Sequence, residues 1–122
     1  MGVFINLTNH PSKCWGQTQL KAAAAYGTRI IDIPFPAIDP TWTGEQLDKK
    51  VEEYLSWVLQ YGDPVVLLQG EFLFTFRMVT KLKEAGITVL SARCSREAVE
   101  NTRDDGTVEK VSTFNFVSFM EY

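Results

Sequence analysis

The side chains of this 122-residue chain best suited to proton transfer and anion binding fall in three short stretches. His10, the one histidine, stands in "LTNHPS" (7–12); Arg93 and Arg96 flank Cys94 in "SARCSR" (91–96); Glu71 follows Gly70 in "QGE" (69–71). An imidazole exchanges its proton near neutral pH, so His10 has the chemistry of a general acid or base. Two guanidinium forks beside the hydroxyls of Ser91 and Ser95 suit phosphate oxygens. Thr8, Asn9 and Ser12 surround His10 with further phosphate ligands, Gln69 and Glu71 are of the type that reads a base or ribose, and Gly70 permits close backbone approach. Each has a plainer alternative. His10 can be a polar turn residue, the arginines solvated surface, and Glu71 a charge that complements a helix dipole. Trp15 and Gln19 face either the core or the site, and core packing suits Trp15 better.

Whether these stretches meet depends on the elements that carry them. "VFINL" (3–7) reads as a strand, followed after Pro11 and Ser12 by a helix with Trp15, Gln19, Ala22, Ala23 and Tyr26 on one face. In this reading Ser12 is an N-cap and "NHPS" an anion seat at the helix start. "RIIDI" (29–33) is a second strand, and "PFPAIDP" (34–40), with three prolines, is a loop. Thr43 and Gln46 form a capping-box pattern ahead of a helix whose stripe runs Leu47, Val51, Tyr54, Leu55, Val58. "PVVLLQ" (64–69) reads as a strand covered on both faces, and "ITVLSA" (87–92) as a fourth strand. Between them lies a helix with Phe72, Phe76, Val79 and Leu82 on its core stripe.

Alternating strands and helices imply a parallel sheet with helices on both faces. "DDG" (104–106) signals a hairpin, so the C-terminus adds an antiparallel pair, with a helix over 95–101 as the alternative. The expected class is therefore α/β, in one domain over residues 1–122, with strand order 2-1-3-4 and the hairpin at one edge. In such sheets ligands sit beyond the carboxyl ends of the strands. That rule brings "TNHPS", "DIPFPAIDP", "QGE" and "SARCSR" together as loops.

Composition narrows the partners. A net charge of −3 argues against coating long nucleic acid or an anionic membrane, and no apolar run is long enough to span a bilayer. Two cysteines make no disulfide framework, which suits a reducing cytoplasm. His10 and Cys14 have i,i+4 spacing but lack the further ligands of a zinc site, so neither metal nor cofactor is expected. The chain also has no GxGxxG and no GxxxxGK[ST].

"LTNHP" with Trp15 and Gln19, "DIPFPAIDP" (32–40), "LQGEFLFTF" (68–76), the Ser/Arg stretch and the terminal "FNFVSFMEY" (114–122) together carry a resemblance over nearly the whole chain. They resemble a group of small CRISPR-associated Rossmann-like proteins of type III systems. The resemblance implies a single Rossmann-like domain that binds cyclic oligoadenylate, most simply cyclic tetra-adenylate, and either cleaves it as a ring nuclease or holds it as a sponge. A ring nuclease needs no metal if the ribose 2′-hydroxyl attacks its own 3′-phosphodiester, and His10, Arg93 and Arg96 are of the right types to assist. A different class, a nucleoside-processing glycosyl transferase or hydrolase with Glu71 as nucleophile, is the competing reading. Phe74 and Met78 give the third helix more apolar arc than one stripe needs, so a homodimer is expected, with that helix or the C-terminal strands at its interface.

Overall fold

The computed structural model describes residues 2–122. Five strands form one mixed sheet in the order β2-β1-β3-β4-β5: β1 Phe4–Leu7, β2 Ile30–Asp32, β3 Val65–Leu68, β4 Val89–Thr102 and β5 Val108–Glu121. β1 pairs in parallel with β2 and with β3, β3 pairs in parallel with β4, and β5 returns antiparallel along β4. The fold is α/β with the expected strand order and with the C-terminal hairpin at one edge. Among the described residues, no helix is long and apolar enough to cross a membrane.

Three helices cover the sheet: α1 Gln17–Ala24, α2 Gly44–Leu59 and α3 Phe72–Glu84. Alternation along the strands splits the core in two. Ile5, Leu7, Val66, Leu68 and Val89 face α2 and α3, while Phe4, Leu67 and Leu90 face Ala23 of α1 with Trp15 and Phe119. Because both faces are covered, "VVLL" of β3 is apolar without alternation. The capping box closes as expected: the Thr43 amide donates to Gln46 Oε1 at 2.8 Å, and the Gln46 amide donates to Thr43 Oγ1 at 3.3 Å.

The structure corrects three expectations. First, 91–96 is not a loop. β4 leaves β3 after Leu90 but stays extended because β5 pairs with it from Leu90↔Glu121 out to Thr102↔Val108. The helical alternative for 95–101 fails for the same reason. Second, the core stripe of α3 is Phe74, Thr75, Met78 and Leu82, whereas Phe72 is 87% exposed and Phe76 73% exposed. Two apolar stripes compete on this helix. The ion pairs of Arg77 with Asp48 (2.9 Å) and Lys81 with Glu52 (3.7 Å) lie along the seam between α2 and α3. Phe74 and Met78 are therefore core, not surplus surface.

Third, Ser12 does not cap α1. It opens a short 3-10 turn, Ser12–Cys14, and the residue at the N-cap of α1 is Gly16. The hairpin turn does follow its signal. The Gly106 amide bonds to the Arg103 carbonyl (2.9 Å), and Gly106 has φ +87°, the left-handed conformation that closes such turns with glycine.

Candidate functional site

The carboxyl ends of β1 and β2 are tied together by one buried amide. Asn6, 2% exposed, donates from Nδ2 to the His10 carbonyl (2.9 Å) and to Asp32 Oδ1 (2.9 Å), and accepts from Thr8 Oγ1 (2.8 Å). Asp32 in turn accepts from the Ser12 hydroxyl at 3.0 Å and from the Ser12 amide at 3.2 Å. The expected anion seat at "NHPS" is thus occupied by the chain's own carboxylate, and Ser12 faces Asp32 instead of a ligand.

His10 is fixed through its backbone. Its carbonyl accepts from Asn6 Nδ2 and from Trp15 Nε1 (3.2 Å), and its amide donates to Thr8 Oγ1 (3.1 Å). Exposed His10 lies on this anchored loop and lines an open cleft of about 960 Å3. That volume falls at the upper end of the range for small-ligand sites, ~300–1,000 Å3.

Three walls enclose the cleft. One is the His10 loop with Thr8, Asn9 and Cys14; a second is the start of α1 with Gly16, Thr18 and Gln19. The third is the root of the hairpin with Ala92, Cys94, Phe114, Asn115 and Phe116, and Leu67, Gln69 and Gly70 form the floor. Trp15 joins wall and core, since its ring meets Phe4 edge-on at 6.1 Å and Phe119 at 6.5 Å.

Two backbone features shape this space. No side chain caps α1, and its first internal bond runs from the Leu20 amide to the Gly16 carbonyl (3.1 Å). The amides of Gln17, Thr18 and Gln19 are left without helical acceptors at the positive end of the helix, beside the cleft. The positive end of the first helix thus lies four residues beyond the expected cap at Ser12. Gln69 spends its amide on structure: Nε2 donates to the Ala92 carbonyl and Oε1 accepts from the Ala92 amide, both at 3.2 Å, adding a rung where the β3–β4 ladder stops.

Of the expected site residues, His10, Thr8, Asn9, Gln19, Gln69 and Gly70 meet in the cleft. Arg93, Arg96, Ser12, Glu71, Ser91 and Ser95 are not in its lining. Glu71 is the N-cap of α3, accepting from the Phe74 amide at 2.7 Å. That contact is the helix-end role of its plainer alternative, and it removes the nucleophile position from the cleft. Arg93 and Arg96 sit on a strand, where residues of opposite parity face opposite sides. Arg93 reaches Met120 Sδ at 3.7 Å on the face away from α1, with Ser91 and Ser95. Arg96 lies on the cleft side but beyond its rim, donating to Ser112 Oγ (3.1 Å) with its guanidinium 5.9 Å from the Phe114 ring.

Asn6, Asp32, Phe114, Asn115 and Phe116 are the site residues that sequence reasoning missed. A polar residue inside the apolar run "VFINL" was a readable signal for Asn6; nothing local in "TFNF" signalled a cleft wall. Among the described residues the lining contains no lysine, arginine, aspartate or glutamate, and no three His, Cys, Asp or Glu side chains group as a metal cage. The cleft therefore offers amide dipoles, one imidazole, two exposed thiols at Cys14 and Cys94, side-chain amides and aromatic faces.

No curated protein and no solved structure matches this sequence. The model of a family described as "Uncharacterized protein MJ1673 family" aligns with residues 2–120. Since that alignment takes in nearly the whole chain, including all three walls of the cleft, the chain belongs to the MJ1673 family.

Proposed function

We propose that the cleft binds cyclic oligoadenylate and that the protein is a metal-independent ring nuclease which switches off type III CRISPR signalling. The observation that carries this reading is the convergence of His10, the uncapped start of α1 and the Phe114–Phe116 aromatics on one cleft at the strand carboxyl ends. The amides of Gln17 to Gln19 supply an electrostatic seat for a phosphodiester without a fixed cation. Aromatic faces stack adenines, and Asn9, Gln19 and Asn115 offer hydrogen bonds to base edges.

In the reaction the ribose 2′-oxygen attacks the adjacent phosphorus while the bond to the 5′-oxygen breaks. The products are a linear strand with a 2′,3′-cyclic phosphate and a 5′-hydroxyl. His10 takes the 2′-hydroxyl proton or gives one to the departing 5′-oxygen, and the helix amides bear the charge that develops on the phosphoryl oxygens. Arg96, stacked over Phe114, extends the aromatic wall outward, and Arg93 has no part in the step.

A second reading is retention without turnover, a sponge. It is favoured by the single imidazole in the cleft and the lack of a lining cation to assist the departing group. Incubating the protein with cyclic tri-, tetra- and hexa-adenylate in EDTA and separating the products decides between them. A linear product ending in a cyclic phosphate supports the nuclease. Intact ligand that co-elutes with the protein supports the sponge, and neither outcome at any ring size rejects both.

A further inference from the structure

The two edges of the sheet are treated very differently. At one edge β2 is three residues long and is followed by Pro34, Pro36 and Pro40, the devices by which proteins keep an edge from pairing. At the other edge β5 runs for 14 residues, and from Val111 to Met120, "VSTFNFVSFM", it has no charge, proline or glycine. Every residue from Arg93 to Asn115 is exposed. The hairpin therefore stands out from the body as a two-stranded arm about 33 Å long at the usual rise per residue. A two-stranded hairpin exposed on all sides is marginal in water.

We propose that the free edge of β5 pairs antiparallel with the β5 edge of a second copy, joining the two sheets into one continuous sheet across a two-fold axis. Any strand is self-complementary in this arrangement, because a two-fold axis perpendicular to the sheet matches each donor and acceptor to its own counterpart. The charge pattern fits. The uncharged run is bounded by Lys110 at one end and Glu121 at the other, so antiparallel pairing sets opposite charges toward each other and parallel pairing would set like against like. Within each copy Glu109 pairs with Arg103 at 3.2 Å and Lys110 with Glu100 at 3.8 Å, so the charge at the Lys110 end is shared with β4.

The arm is apolar as well. Along β5, Phe114 (69% exposed), Val117 (60%), Val108 (57%), Met120 (56%) and Val111 (37%) are open to a neighbour, and pairing covers the parts of these side chains that lie along the seam. The pairing holds whatever ligand fills the cleft. It also carries a consequence for the site: the axis lies near Phe114–Phe116, so the two clefts open on the same face of the joined sheet and share that aromatic stretch.

Sedimentation of the full chain across the micromolar range tests the pairing. The expected result is a dimer in the wild type, a monomer in Thr113→Lys/Val117→Lys, and an unchanged dimer in Phe72→Lys/Phe76→Lys, which charges the exposed face of α3 instead. A monomeric wild type overturns the proposal, as does a dimer indifferent to the β5 lysines or one dissolved by the α3 lysines alone. Hydrogen exchange on the wild type covers the case in which the β5 variant misfolds. Amides between Val111 and Met120 should gain protection as concentration rises, and equal protection at all concentrations would reject edge pairing.

Discussion

Replacing Asn6 with leucine nearly keeps its volume and removes the one group that ties β1, β2 and the His10 loop together. Three bonds disappear: 2.9 Å to the His10 carbonyl, 2.9 Å to Asp32 Oδ1 and 2.8 Å from Thr8 Oγ1. Neutral bonds contribute about 1 kcal/mol each and the one to a carboxylate about 2, so roughly 4 kcal/mol is lost. Burying leucine at a 2% exposed position returns roughly 1–2 kcal/mol. The net loss of ~2–3 kcal/mol should lower the urea midpoint by about 1–2 M. Tryptophan fluorescence and far-UV circular dichroism, read in parallel, would measure it. A midpoint within a few tenths of molar of the wild type would refute the network as the anchor of the loop. Asn6→Asp sharpens the test, because it sets a second carboxylate beside Asp32. Two adjacent carboxylates repel when both are ionised, so this variant should lose stability at neutral pH and recover it in acid.

His10→Ala should slow ring opening by about 10²–10⁴-fold while changing ligand affinity little, because a general acid or base acts on the transition state. Full turnover without the imidazole would exclude histidine catalysis. A Cβ at Gly70 overlaps the Phe35 ring, which packs edge-on against Phe74 at 5.2 Å, so Gly70→Ala should cost about 1–3 kcal/mol in denaturant titration. That cost should shrink when Phe35→Leu is added, and an unrelieved double variant would locate the strain elsewhere. Asp39 is held below the usual carboxylate range by bonds from the Thr41 amide and hydroxyl, and Asp105 by bonds from the Thr107 hydroxyl and amide. Their folded values are depressed, so what they contribute is present above the unfolded value near 3.8 and is lost as pH falls through the lower folded value. Carboxyl carbon shifts in an NMR titration should show both titrating below their neighbours.

The parallel half of the fold was legible because its signals are local. Prolines at 34, 36 and 40, the Thr43–Gln46 box and the continuous apolar run of β3 each report on their own segment. Where the sequence misled, the deciding partner lay far along the chain. "SARCSREAVENT" contains neither glycine nor proline, the one local hint that it does not turn, but what keeps it extended is pairing with β5. On α3, the stripes through Phe72 and Phe74 are equally apolar, and only the position of the sheet and of α2 chooses between them. Trp15 was legible in part: its ring packs with Phe4 and Phe119 as a core residue does, yet its indole N–H holds the His10 carbonyl.

The overrun of β4 also explains why the cleft lacks the arginines expected in it. A loop after β4 would have turned back over the strand ends and delivered Arg93 and Arg96 to one place. A strand cannot, because alternation sends the two to opposite faces, and β5 then delivers Phe114, Asn115 and Phe116 to the position the loop would have filled. At the root of the arm the register shifts between Arg93 and Cys94, with Arg93 opposite Ser118 and Cys94 opposite Phe116, so Val117 is the extra residue. Such a bulge re-aims the side chains beyond it. Here it keeps both Phe116 and Phe119 on the α1 side, where their rings lie 4.8 Å apart and join the core aromatics to the cleft wall. The site thus presents aromatic faces where arginines were expected, and the bare amides at the start of α1 are its remaining positive pole.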